Sequence, residues 1–567
     1  WGGSLTSTLT SNFVLELRYR GWWADDWDES QTGSFEEPFI DYSPPDGGPA
    51  TYSGGRWYPW DYVTWRQQLN AKATYYAEDF LNSEHEFKFG VQYSRGSAKT
   101  NGASGPNGTY LYHYTYDYYG YEYDYLIRAS GDPYQYGGVS TDVGIFLDDS
   151  ITVNDRLTLN LGVRFDRNRG SIPDYERLTV GEPSVSPAGN FAATGETVPG
   201  AEGLVEWNLI SPRLGFAFQP TGDGRSVIRG SFGVYYDGNI MGNWDYPPPG
   251  IPTMEAWALD PVTMQPAELW WDWSAGELAV NPDLKAPRTL QYAIGFEQQV
   301  SDEVSIGAQY VHKTAKDLVG WEIMGDGTYD EVPFTDPFTG NQYTMLSVVE
   351  PYTARKGNDP GEFPGSEDMD YYQKYHGVIL TFDKRFADNW GLSASYTWSR
   401  SEGRIPRMLS QEQFNPFYTN KDGRDPNQWL NTDSRLQADR PHMFRLQSVV
   451  RLPWEIRLSA SVDLSSGRPH SRQIEVFGLE QGSQTVIMEP IGTYSYKPIK
   501  SVDVLLGKRF HVGEEAYISL EAWGFNLLNS DQELSMASLV LQEPGEDFVP
   551  DWWVTPRRLQ LRVGFNF

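Results

Sequence analysis

The chain contains no cysteine, so neither a disulfide framework nor a thiolate metal site is open to it. It has no uninterrupted apolar run of about 18 residues, which excludes a transmembrane helix but not a membrane. Strands that alternate lipid-facing and lumen-facing side chains keep an ordinary average polarity. Basic residues are scarce: 45 Lys and Arg stand against 76 Asp and Glu, a formal net charge of −31. Nucleic acid demands a basic surface and is not an expected partner. Catalytic signatures are missing too. The histidines (His85, His113, His312, His376, His442, His470 and His511) form no HExxH and no paired ligand spacing, and no G-x-S-x-G turn accompanies them. Gly222-Asp223-Gly224 lacks a following helix or Lys-Ser/Thr, so it reads as a hairpin turn, not a phosphate loop. Neither an enzyme nor a cofactor is expected.

What is abundant is aromatic, with 36 Tyr and 21 Trp, as interfacial girdles and contact loops require. The clearest pattern closes the chain. In Arg557 to Phe567, Leu559, Leu561, Val563, Phe565 and Phe567 share one face, and Arg558, Gln560, Arg562, Gly564 and Asn566 share the other. One face suits hydrocarbon and the other water, over about ten residues, the length of a tilted transmembrane strand.

The same alternation recurs. Leu5–Thr10 and Asn12–Tyr19 form a first pair, Val63–Tyr76 and His85–Ser94 a second. Asp142–Val153 and Leu157–Phe165 turn at Asn154-Asp155-Arg156. Leu214–Phe218 and Val227–Tyr236 follow, then Gln291–Val300 with Val304–His312, and His376–Phe386 with Trp390–Arg400. Phe444–Leu452 and Ile456–Leu464 precede Val502–His511, Ala516–Asn526 and the terminal strand. Every second connection is tight. The others are long, at about 21–61, 95–140, 166–212, 237–290, 313–375, 401–443, 465–501 and 527–556. Short turns at one rim and long loops at the other describe an antiparallel transmembrane β-barrel in an outer membrane, with lipid as its solvent. Leu157, Leu159, Leu161, Val163 and Phe165 are expected to face lipid, as are Val304, Ile306, Ala308 and Tyr310, and Trp390, Leu392, Ala394 and Tyr396.

About seventeen strands result, the first and last running the same way, whereas a single-chain bacterial barrel closes with an even number. Trp1 falls inside a strand region with no signal peptide ahead of it. The expectation is a processed or incomplete chain, with further strands upstream.

Several segments resemble the Oar-like branch of TonB-dependent outer-membrane receptors. They are Leu157–Arg167, Ile210–Asp237, Asn281–Val319, Asp439–Arg472 (with RPHMFRLQ and SGRPHSR) and Gly524–Asn529 (GFNLLN). The resemblance is spread over roughly the last three-quarters of the chain, in the order and spacing of segments. It implies an all-β fold, a barrel of about 22 strands around an N-terminal plug, and import driven through the TonB complex of a Gram-negative cell. It also implies Phe567 as a signal to the barrel assembly machinery. No plug and no TonB box is found in this sequence.

Asn160, Arg164, Asp166, Arg229, Glu297, Gln309, Arg445, Gln447, Glu521, Arg558 and Arg562 fall on the lumen face. They line a substrate path, grip a plug, or simply pair with one another around water. Tyr110, Tyr112, Tyr114, Tyr116 and Tyr118 alternate, Gly120 marks a bend, and Tyr121, Tyr123 and Tyr125 alternate again. That reads as a rim hairpin, either capturing peptide or sugar or packing on itself as a cap. Trp244, Trp257, Trp270, Trp271 and Trp273 carry the same two readings. Asp359, Glu362, Glu367, Asp368 and Asp370, or Asp422 with Asp425, offer oxygen ligands for Ca²⁺. Neither set has full calcium-loop spacing, so solvated charge is the preferred reading. The leading function is import of a bulky peptide or oligosaccharide, with a surface lipoprotein as a further candidate partner. A passive porin-like pore and a surface-display or assembly barrel are the alternatives.

Overall fold

The computed structural model describes residues 1–27, 36–42, 50–55, 60–102, 108–118, 121–131, 133–180, 191–237, 254–273, 280–405, 423–512, 516–536 and 538–567. One antiparallel sheet of 18 strands dominates it. The two-residue strand Ser434–Arg435 only extends the top of a neighbour. The other seventeen (18 − 1) form the wall. They are β1 (Gly2–Thr10), β2 (Phe13–Trp27), β3 (Trp60–Phe80), β4 (Ser83–Gly102), β5 (Tyr134–Asn154) and β6 (Leu157–Ile172). Next come β7 (Ala201–Phe218), β8 (Ser226–Tyr236), β9 (Arg288–Gln299), β10 (Val304–Lys316), β11 (Tyr372–Ala387) and β12 (Trp390–Arg404). The wall ends with β13 (His442–Leu452), β14 (Ile456–Ser465), β15 (Ile499–His511), β16 (Tyr517–Phe525) and β17 (Arg558–Asn566).

Each strand pairs with its predecessor in the wall, so the topology is an up-and-down meander. The seventeen predicted strands are all present, and tight and long connections alternate as expected. Among the described residues, β1 pairs with β2 alone and β17 with β16 alone.

Local chemistry explains the turns. Asp388 and Asn389 join β11 to β12 with φ of 51° and 69°. Short polar side chains tolerate this left-handed region, whose twist matches that of a hairpin.

The register puts the apolar set on one face. Leu161, Val163 and Phe165 of β6 are 43%, 45% and 39% exposed, and Ile306 of β10 and Leu380 of β11 are likewise exposed. Such a row would be a liability in water and is what a lipid-facing surface requires. The wall strands run beyond their predicted limits: β4 reaches Gly102 and β7 begins at Ala201. Above the hydrocarbon there is no reason to alternate, yet the backbone ladder continues.

The buried apolar side chains gather elsewhere. Five clusters among the described residues lie in the long connections and the strand tops feeding them. The loops fold into a cap with its own cores.

Candidate functional site: the polar face and the loop cap

The register puts every predicted lumen residue on the face opposite the lipid-facing row. Asn160 stands between Ser150 and Gly215, and Gln309 between Gly295 and Ile379. Arg164 donates to Asp166 at 2.6 Å and to Gln92 at 3.3 Å. Arg229 pairs with Glu297 at 2.5 Å, Arg445 with Asp463 at 3.3 Å, and Arg457 with Glu521 at 3.6 Å. Gln447 lies opposite Ser393 and Ser461, and Arg562 opposite Glu521. The Arg558 guanidinium sits 4.7 Å over the Phe525 ring. A recess of about 680 Å³ opens beside Asn160 and Arg229, with Glu86, Lys88, Asp148 and Arg213 around it. These charges are half-exposed and largely paired, so they make a wettable surface in which no lone charge dominates.

The first part of the cap is a six-stranded sheet assembled from three connections: 39–41 with 51–53, 109–118 with 121–130, and 254–259 with 266–273. The tyrosine-rich run is the central hairpin, paired through to Tyr118 and Tyr121. Tyr110 belongs to its core with Ile40, Ile127, Ala129, Ala256 and Ala258. Burial pushes the Tyr110 hydroxyl up to about 12, with Tyr112 and Tyr42 adding to the shift. Tyr112 stacks on Tyr110 at 5.9 Å and meets Tyr42 edge-on at 6.1 Å. Tyr125 packs against Trp270 at 4.5 Å, leaving Trp270 exposed. Trp257 is half-buried and donates to Glu255. Tyr114, Tyr116, Tyr118, Tyr121, Tyr123, Trp271 and Trp273 lie on these strands. Gly120, Trp244 and Asp422 lie outside the described residues.

The second part joins 317–371, 423–441 and 466–498, and its polar anchors were not foreseen. Arg472, 1% exposed, donates to both oxygens of Asp336 (3.0 and 2.5 Å) and to Glu489 (3.1 and 2.5 Å). Its guanidinium also lies 4.4 Å over Phe338. Burial would raise the Asp336 carboxyl, but hydrogen bonds from Arg472 and Thr339 hold it below the usual carboxylate range. Asn427 donates to and accepts from the Leu346 backbone, while Gln481 reaches Leu346 and Asp425. Lys356 and Arg424 both approach the Trp321 ring, at 4.0 and 3.7 Å. Burial, helped by Arg424, brings the Lys356 ammonium down to about 7. His470 is buried among Tyr494, Tyr496 and Phe548, its Nδ1 without a hydrogen-bond partner among the described residues, and burial lowers it to about 4. A lone Arg, Asp or His in a loop has no periodicity to announce it. Only the cluster SGRPHSR hinted at the segment.

Two of the acidic candidates have structural duties. Asp425 caps the 3₁₀ turn Pro426–Trp429, and Asp359 accepts from the Gly361 amide. Among the described residues no three acidic or imidazole groups converge on one point.

Comparison with known proteins supplies the relatives. A family model described as "Outer membrane beta barrel domain" matches residues 1–459. The TonB-dependent transporter Oar of Myxococcus xanthus is 26% identical over 532 residues, covering 84% of this chain and 45% of that protein. The crystal structure of the outer membrane transporter YddB from Escherichia coli superposes with a TM-score of 0.56 at 14% identity, covering 99% of this chain and 62% of that one. The chain thus spans less than two-thirds of either relative, and the second likeness is one of fold.

Proposed function

We propose, from the premise that this chain belongs to the outer membrane beta barrel domain family, that it is the wall and ligand-gripping cap of a receptor that imports a bulky solute. The protein lies in the outer membrane of a Gram-negative cell. The substrate class we favour is a peptide or an oligosaccharide, and the energy source a TonB-type complex. The name carried by the Myxococcus relative and the sequence resemblance are what support that source.

One observation carries the reading: the long connections fold on one another around buried cores and a buried Arg–carboxylate cluster. An open pore has no use for a cross-linked lid of this size. A receptor does, because a preorganised surface loses less entropy on binding. Trp270, exposed and braced by Tyr125, offers a flat apolar face with a polar edge, suited to sugar rings or peptide side chains.

The test uses the full-length protein in cells, with labelled oligopeptide and oligosaccharide mixtures. Uptake that stops when the proton-motive force is dissipated, with binding retained, supports the proposal. Steady ion conductance through the purified protein in a planar bilayer, without an energy source, would replace import by a passive pore. A cap that binds a surface protein while no solute enters would leave a display barrel. Trp270→Ala should weaken capture by about 1–3 kcal/mol, as loss of one aromatic contact does.

A further inference from the structure

The lipid-facing side of β9–β12 changes chemistry at a single height. From the tight-turn rim upward, β10 presents Val304, Ile306, Ala308 and Tyr310, and β11 presents Phe382, Leu380 and Val378. On the next rung His312 faces His376, which faces Arg400. One rung higher Thr314 faces Lys374, and above that Arg288 faces Lys316. Val304 to Lys316 spans about 40 Å of strand, or roughly 30 Å of height at the usual barrel tilt. The cations therefore stand where hydrocarbon gives way to headgroups.

These groups are arranged around one another. The Nδ1 atoms of His312 and His376 lie 3.2 Å apart. The Tyr310 hydroxyl is 2.8 Å from His376, and His312 Nε2 is 2.9 Å from the Thr314 hydroxyl. Nearby carboxylates are engaged: Asp317 by Arg288 at 2.8 Å, Glu402 by Arg400 at 2.7 Å, and Asp433 by the Tyr372 hydroxyl at 2.5 Å. Lys316 and Lys374 are exposed, and among the described residues neither makes an ion pair. Lys374 lies 4.9 Å over the Tyr372 ring, a contact that leaves its charge unneutralised. In a chain of net charge −31, two lysines with no carboxylate partner above an apolar wall are a local reversal of sign.

We infer that this patch binds a phosphorylated headgroup of an outer-leaflet lipid. The ammonium groups of Lys316 and Lys374 take the phosphate oxygens. The His312–His376 pair and Thr314 supply further donors, and the acyl chains run down over Ile306 and Leu380. Anionic headgroups are attracted by roughly 1 kcal/mol per surface Lys, so two lysines give about tenfold or more in retention. The site is independent of whatever the cap captures.

The experiment is native mass spectrometry of the full chain, released from detergent in the presence of bisphosphorylated lipid A, its dephosphorylated form, or inorganic phosphate. The expected result is a retained bisphosphorylated lipid, held at least about tenfold better than the dephosphorylated one. Lys316→Gln with Lys374→Gln should abolish that preference, whereas Lys316→Arg with Lys374→Arg and the opposite-rim control Lys508→Gln should keep it. Equal retention of both lipids overturns the inference, as does an undiminished preference in the double Gln variant. Displacement of the lipid by equimolar inorganic phosphate also overturns it, because the site would then be one for the free ion. Should the double Gln variant fail to fold, the two lipids compared on the unaltered chain decide alone.

Discussion

Arg472 holds two carboxylates at once, and each would be expensive to leave alone in the cap. Removing one partner of a buried ion pair strands the other, at a cost of about 3–5 kcal/mol. Arg472→Leu should therefore loosen the junction between the segments around Met345 and Val486. Hydrogen exchange at those amides is expected to rise about a hundredfold or more, while wall amides stay protected. His470 gives the cap a pH dependence. Its folded value of about 4 lies below the ordinary imidazole value of 6.5, so in that window the unfolded cap binds a proton that the folded cap refuses. Stability is thus lost as pH falls from about 6.5 to 4, by something on the order of 3 kcal/mol. Lys356 has the same sign between about 7 and 10.5, where rising pH stabilises the fold. Buried carboxylates such as Asp425, raised by burial, act in the opposite sense. The His470 contribution is therefore read as the difference between wild type and His470→Phe across pH 4–7 in limited proteolysis of the cap. Parallel profiles would remove the role assigned to His470.

The strands show how much of the fold was legible. A two-residue period is a physical demand only where one face meets hydrocarbon, so the membrane-crossing part of each strand could be read, as in Leu157–Phe165. The upper halves of β4, β6 and β7 carry no such demand and read as loop. Cap residues were harder still. Tyr110–Tyr125 alternates and was placed as a hairpin, but nothing in its pattern tells a buried Tyr110 from a capture surface. Burial settles that for Tyr110 and leaves Trp270 outside. The alternation makes its own prediction. Arg at Leu161 should cost roughly 2–4 kcal/mol if it lies near the bilayer midplane. Arg at Gln309, on the polar face, should cost little. Urea unfolding in liposomes compares the two, and equal costs would remove the distinction between the faces.

At the scale of the molecule, charge and aromatic residues sort by height: apolar belt, cationic rungs, then a cap dense in Tyr and Trp. The final strand bears on insertion. Phe565 is 70% exposed on the outer face of β17, and Phe567, just past the strand's end, is fully exposed. The family resemblance implies that the barrel assembly machinery reads this end. Deleting Phe565 to Phe567 should leave synthesis intact but abolish surface labelling of the cap. Normal labelling would mean that the last three residues carry no signal.

The Arg472 cluster also sets a clock. Wall contacts join each strand to the one before it, but the Asp336–Arg472 bonds close a loop of 136 residues and the Tyr343–Met488 bond one of 145. Contacts so far apart in the chain form slowly, since the entropy of loop closure must be met before they give anything back. The lid therefore cannot lock until β14 has been laid down, and a stalled chain would present a wall with its cap still open. Locking of the cap is then a timestamp for nearly complete assembly, one that a protease added from outside can read.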